Sequence, residues 1–305
     1  MDLIVQPEDG ITPSLESIAG AKKNLDLFVF RFDLKEVEKA LGAAVTRGVA
    51  VRTLIAHTNS GGEKRLRQLE LRMLEKGISV SRSGGDWVRY HGKVMIVDRE
   101  ELHVYGFNYT EIDLKSRSFG VVTKDRKAVS EALRLFEADT MRQEFEPASD
   151  CLVVSPENSR EELATFIKRA KKSLSIYDPK ASDTQMIRLL NQRAKAGLDV
   201  RIIGKVGKRA AGELRVQKFP GKRLHVRAMI RDGDTGFVGS QSLRALELDA
   251  RREVGLITRD PKVVKRMTEV FEDDWAKTEI GKKETKHFEK EQKQSDEVVA
   301  EVSHS

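Results

Sequence analysis

The sequence predicts an α/β fold built from two tandem repeats. Two observations carry this. Short β-branched and apolar runs alternate with segments of helical spacing, and the same ordered series of motifs occurs twice along the 305 residues. "LIVQPEDG" at 3–10 returns as "LVVSPENS" at 152–159, and "AGAKKNLDLFVF" at 19–30 as "KRAKKSLSIYDP" at 168–179. "RGVAVRTLI" at 47–55 matches "AGLDVRIIG" at 196–204, and "FGVVTKDRKAVSEALRLFEADT" at 119–140 matches "VGLITRDPKVVKRMTEVFEDDW" at 254–275. Order preserved over nearly the whole length marks a duplicated unit.

Within the first unit, Leu3–Val5, Leu25–Phe30 and Val49–Ile55 read as strands. Ser14–Lys22 and Leu34–Arg47 between them carry helical spacing, so strands joined by helical crossovers and a mainly parallel sheet are expected. Val94–Val97 and Leu102–Gly106 are close enough in the chain to pair locally. A helix from Asp125 to Arg142 closes the unit, and its counterpart runs from Pro261 to Ala276. The expected boundaries are 1–147 for the first repeat and 148–280 for the second, with 281–305, poor in apolar residues and without period, as a disordered tail. Between Ile55 and His91 the first repeat has extra sequence. Leu66, Leu69 and Met73 share one helical face there, which reads as a core-facing stripe; a helix lying on a membrane surface is the alternative.

Composition narrows the class. Hydrophobic residues make up 39% and charged residues 34%, as in a soluble globular protein. The single cysteine excludes an internal disulfide and suits a reducing compartment. Six scattered histidines do not suggest a structural zinc cluster. No signal peptide and no bilayer-spanning run is read from the sequence. A net charge of +7 points to anionic partners such as lipid head groups, nucleic acid or phosphorylated metabolites.

The chemistry is concentrated in one duplicated stretch. "RYHGKVMIVD" at 89–98 aligns with "RLHVRAMIRD" at 223–232. Both read arginine, one residue, histidine, one residue, a cation, four residues, aspartate. By strand alternation His91 and Lys93 share a face, while Asp98 points the other way. Asp98 and Asp232 are therefore expected to be structural. After six intervening residues come "YGFN", Tyr105 to Asn108, and "GSQS", Gly239 to Ser242.

HxKxxxxD followed by GSxN, twice in one chain, resembles the phospholipase D superfamily. The "FEAD" and "FEDDW" endings are similar to its bacterial cardiolipin-synthase-like members. The resemblance covers about residues 1–280 and implies two α/β halves packed about a pseudo-two-fold axis, with both histidines in one shared cleft. One neutral histidine would act as nucleophile and form a phosphohistidine. The other, protonated, would donate to the leaving oxygen and later activate water or an alcohol. Lys93 and Arg227 would stabilise the charge on phosphorus, so no metal and no cofactor is expected. Asn108 would add an amide donor, and Ser240 and Ser242 hydroxyls, toward the substrate.

The sequence departs from the family pattern in both halves. Tyr105 and Gly106 stand where the family has glycine and serine, Arg227 replaces lysine and Ser242 replaces asparagine. The carboxylate that follows GSxN in the family is matched by Glu253 but not in the first half, where Ser118 stands. These considerations predict that Glu253 accepts a hydrogen bond from His225, which becomes the imidazolium, and that neutral His91 attacks phosphorus. Glu111 or Asp113 reaching His91 is the alternative.

The expected function is a monomeric phospholipase-D-type phosphodiesterase or phosphatidyltransferase acting on an anionic phosphodiester, with phospholipid as substrate. A nuclease acting on nucleic acid, and a decayed protein that binds phosphodiesters without turnover, are the alternatives. The expected location is the cytoplasm, with peripheral contact at the inner membrane face.

Overall fold

The computed structural model describes residues 1–57, 63–85, 87–207 and 214–287. The first repeat begins β1 (Asp2–Gln6), α1 (Thr12–Gly20), β2 (Asn24–Val29), α2 (Lys35–Thr46), β3 (Ala50–Ile55), α3 (Glu63–Glu75) and β4 (Ser79–Arg82). It continues β5 (Arg89–Tyr90), β6 (Val94–Val97), β7 (Glu101–Tyr105), α4 (Glu111–Leu114), β8 (Ser118–Thr123) and α5 (Arg126–Met141). The second begins β9 (Leu152–Ser155), α6 (Ser159–Lys168), β10 (Ser173–Ala181), α7 (Thr184–Lys195), β11 (Asp199–Val206) and β12 (Arg215–Gln217). It ends β13 (Arg227–Arg231), β14 (Thr235–Gly239), α8 (Ala245–Asp249), β15 (Arg251–Thr258) and α9 (Pro261–Ala276).

The two sheets are mixed rather than mainly parallel. Their strand orders are β1-β8-β7-β6-β2-β3-β4 and β12-β11-β10-β13-β14-β15-β5, with β9 also on β15. Helical crossovers make β2, β3 and β4 parallel neighbours, as they do β10 and β11. The turns between β6 and β7, and between β13 and β14, are too short for a crossover and enforce antiparallel hairpins. One strand changes sides. β5 comes from the first repeat but pairs in parallel with β15 of the second, Arg89 opposite Arg251 and Tyr90 opposite Arg252.

The closing helices explain how the halves meet. Asp125 caps α5 through the Ala128 amide, and Asp260 caps α9 through the Lys262 and Val263 amides. Both helices pack into one hydrophobic cluster that joins Phe28, Phe119 and Phe136 of the first repeat to Tyr177, Phe271 and Trp275 of the second. Each such fully buried side chain contributes about 1.5–3 kcal/mol. Separate clusters lie under the outer helices of each repeat. On α3, Leu66, Leu69 and Met73 are buried, so that stripe faces the core.

Residues 279–287 are helical, including the first residues, 281–287, of the expected tail. Glu284 there accepts a hydrogen bond from Trp275 Nε1 at 3.0 Å, which ties the segment to α9. The rest of the expected tail, 288–305, lies outside the described residues. No described helix is long and apolar enough to cross a membrane.

Candidate active site

The strand exchange builds the site. His91, Gly92 and Lys93 connect β5, in the second repeat's sheet, to β6, in the first repeat's own. His91 therefore does not begin a strand; it stands at the crossing. Its amide donates to the carbonyl of Arg252 at 2.7 Å, and the amide of His225 donates to the carbonyl of Arg117 at 3.0 Å. Each histidine is thus held in register by the opposite repeat.

The carboxylate partners are crossed in the same way. Glu253 Oε2 lies 2.7 Å from His91 Nδ1, so the predicted bond to His225 is corrected. β5 runs alongside β15 and brings His91, not His225, to Glu253. His225 faces Asp113 instead, with Nδ1 3.5 Å from Oδ2, an ion-pair distance without a hydrogen bond. The alternative that Asp113 serves His91 is corrected by the same contact.

Lys93 Nζ donates to the His91 carbonyl at 2.6 Å and lies 3.1 Å from His91 Nδ1. Arg227 Nη1 donates to the His225 carbonyl at 2.9 Å, and its Nε to Ser242 Oγ at 3.3 Å. In both repeats the cation two residues after the histidine folds back on that histidine's carbonyl. The Phe30 ring packs edge-on against His91 with centroids 4.6 Å apart.

Electrostatics follow from burial beside cations. Burial, then Lys93 and Arg227, push His91 well below the ordinary imidazole range. Burial and Arg227 do the same to His225, against the pull of Asp113. Both rings are thus held below the ordinary imidazole range, the opposite direction from the resting imidazolium predicted on His225. Burial lowers Lys93 to about 7, and Glu253 does not fully compensate. Burial raises Glu253, with Lys93 and Ser240 opposing it. Burial also works to raise Asp113, but His225, Arg223 and the Asn108 donors overcome it and hold this carboxyl at about 2.

The remaining expected residues divide. Asn108 Nδ2 donates to Asp113 Oδ2 at 2.5 Å, leaving one amide proton uncommitted. Ser240 Oγ donates to the Val254 carbonyl at 3.3 Å and receives the Val254 amide at 3.2 Å. It braces the strand that carries Glu253. Asp98 Oδ1 and Oδ2 accept the amides of Lys22, Lys23 and Asn24, and Asp232 those of Lys171, Lys172 and Ser173. Both aspartates have left-handed φ, 51° and 54°.

Sequence reasoning missed Glu247. It is buried, accepts the Ser242 amide at 2.7 Å and lies 4.0 Å from Arg227 Nε. Asp113 and Glu247 each follow the Asn108 or Ser242 position by five residues, so extending the repeat alignment by a few residues would have found both. Among the described residues no group of three or more His, Cys, Asp or Glu is arranged to hold a metal ion.

A family model described as cardiolipin synthase, PLD-like domain matches residues 15–140 and again 163–275. The chain belongs to this family. Polyphosphate kinase from Porphyromonas gingivalis is a similar solved structure, at 18% identity and TM-score 0.75, covering 89% of this chain and 49% of that one. The chain thus spans about half the length of that kinase. Phosphatidylserine synthase from Haemophilus influenzae Rd KW20 is similar at 12% identity and TM-score 0.67, covering 90% of this chain and 85% of the other. Identities this low speak for the fold alone. No curated protein matches the chain significantly. The twin match over two segments accords with the duplicated α/β architecture of this PLD-like chain.

Proposed function

We propose that this PLD-like chain is a phospholipase-D-type phosphodiesterase or phosphatidyltransferase that acts on phospholipid through a phosphohistidine. The observation that carries the reading is the crossed His91–Glu253 pair, 2.7 Å apart, with two cations beside it. Glu253 accepts the hydrogen bond of Nδ1–H, which fixes that tautomer and leaves the Nε2 lone pair of neutral His91 free to attack phosphorus. The N–P bond forms as the P–O bond to the leaving alkoxide breaks, and His225 gives that oxygen its proton.

A phosphodiester anion between Lys93 and Arg227 offsets the positive fields that add to burial in lowering His225. Asp113, 3.5 Å from its Nδ1, then favours the imidazolium. In the second half-reaction an alcohol or water passes a proton to His225 while its oxygen attacks phosphorus, and the N–P bond breaks. Lys93 and Arg227 stabilise the non-bridging oxygens in both steps. Phospholipid is favoured as substrate by the family, whose model bears the name of cardiolipin synthase.

The test is turnover of a chromogenic phosphodiester by purified protein, with and without a chelator, beside His91→Ala and His225→Ala. Loss in both variants, with activity retained under chelation, supports the reading. Binding without turnover in the wild type sinks it in favour of a binding protein. Cleavage of plasmid DNA but not of phosphatidylglycerol vesicles replaces the lipase with a nuclease.

A further inference from the structure

Two arginines outside the reacting set are related by the repeat. Arg117 and Arg252 immediately precede the matched residues Ser118 and Glu253. Arg252 is 1% exposed, and Asp139, on α5 of the other repeat, is fully buried. Arg252 Nη2 donates to Asp139 Oδ1 at 3.0 Å, and Nη1 donates to the Ser155 carbonyl at 3.0 Å and to Glu157. The guanidinium lies 4.4 Å from the centre of the Trp87 ring.

Arg117 repeats the arrangement in mirror order. Its Nε and Nη2 donate to Asp274 on α9 of the other repeat, at 2.8 and 3.1 Å. Its Nη1 donates to the Gln6 carbonyl at 3.0 Å and to Glu8. A tyrosine hydroxyl completes each aspartate: Tyr90 on Asp139 at 2.9 Å and Tyr177 on Asp274 at 2.7 Å. These tyrosines come from different places in the two repeats, since Tyr177 aligns with Phe28 and Tyr90 with Leu224. The same clamp is built twice by different means.

Each arginine has its main-chain carbonyl on the amide of the opposite repeat's histidine, Arg252 on His91 and Arg117 on His225. We propose that Arg117 and Arg252 are positioning residues: their side chains anchor them to the closing helix across the interface, and their carbonyls fix where each histidine stands. A guanidinium held by three acceptors, fully buried at Arg252 and largely so at Arg117, cannot shift without leaving one unpaired, so the carbonyl above it is fixed as well. The inference rests on the proposed role of the two histidines, but its first readout does not need turnover.

That readout is the ¹⁵N imidazole spectrum of the full-length protein. Arg252→Met, matched in length and without charge, is expected to move the ring nitrogens of His91 and leave those of His225. Arg117→Met is expected to do the reverse, and Arg252→Lys to return His91 most of the way. On the chromogenic phosphodiester, kcat for Arg252→Met should fall about 10²-fold with KM little changed, the cost of a displaced reacting group. Asp139→Asn, which keeps an acceptor for Tyr90, replaces Arg252→Met if the latter fails to fold. Unmoved His91 nitrogens in a folded variant, or both histidines moving alike, would overturn the proposal whether or not the wild type turns over.

Discussion

Glu253 follows His91 by 162 residues, yet its carboxylate stands 2.7 Å from the Nδ1 of that ring. The contact joins the second repeat to the first, and it makes the orientation of one candidate nucleophile depend on a strand from the other half. If Glu253 sets the tautomer of His91, Glu253→Gln leaves the volume intact but removes the charge and lets an amide donor face Nδ1, which no longer fixes that tautomer. Formation of the phosphohistidine should slow by about 10²–10⁴-fold. Acid quench of a single turnover, followed by mass spectrometry, should place the phosphoryl label on His91; label on His225 would reverse the roles.

Proton uptake should accompany binding of an anion. Lys93 stands at about 7 and His225 well below the usual imidazole value, the first lowered by burial and the second by burial and Arg227. A bound phosphate-like anion raises both, so the complex holds more protons than the free protein, and affinity must fall as pH rises through about 7. Calorimetry with inorganic phosphate in buffers of different ionisation enthalpy measures this directly. Lys93→Met should abolish most of the uptake.

Arg227 should tolerate lysine better than alanine. Lysine keeps the charge but loses the fork that spans Ser242 and the His225 carbonyl, so a modest loss of kcat is expected. On the proposed mechanism alanine removes an oxyanion donor, so the expected cost is on the order of 10²–10³ in rate. Steady-state kinetics on one substrate decide it, and equal rates for wild type and alanine would remove Arg227 from the site.

The exchange of serine for glycine at position 106 has a packing reason. A Cβ there would lie 3.1 Å from the Phe119 carbonyl oxygen and from Ser118 Oγ, and 3.2 Å from the Gly239 carbonyl oxygen. Restoring the family residue by Gly106→Ser should destabilise by about 1–3 kcal/mol. Adding Ser118→Ala should recover part of that loss in a denaturant titration, because one of the crowding atoms is gone.

Asp98 should prove important to stability and not to chemistry. Its carboxyl is held below the ordinary value by the Asn24, Lys22 and Lys23 amides, against burial, which favours the neutral acid. A depressed folded pKa contributes stability above the unfolded value of 3.8 that is lost as pH falls through the folded one. Asp98→Ala should therefore lower stability at pH 7, and progressively less in acid, by an amount that solvent screening keeps small. Melting curves from pH 7 to pH 2 test this, and an unchanged deficit at pH 2 would refute it.

What was legible in the chain was whatever repeats or alternates. The duplication, the closing helices and both His/cation pairs are local patterns, and β-branched runs identified β2, β3 and β6. The partner of Glu253 was not legible, because β5 is a two-residue strand whose exchange into the other sheet leaves no local signature. The mixed sheets were misjudged from the crossovers at one edge, although the hairpin at β6 and β7 was recognisable. Asp113 and Glu247 sit in short helices with no apolar period, and only the repeat alignment connects them.

On the proposed mechanism, Ser118 where the second repeat has Glu253 gives the site a direction. Two identical half-sites, as in an assembly of one repeated chain, would grip a phosphodiester equally well in either orientation. Among the described residues, His91 has a carboxylate hydrogen-bonded to its ring at 2.7 Å, whereas Asp113 stands 3.5 Å from His225 without a hydrogen bond. On the proposed mechanism, a substrate with unlike ends has one productive way to lie, with the departing alcohol toward the second repeat. On that reading, the order of the repeats along the chain sets a polarity for whatever lies between the two histidines.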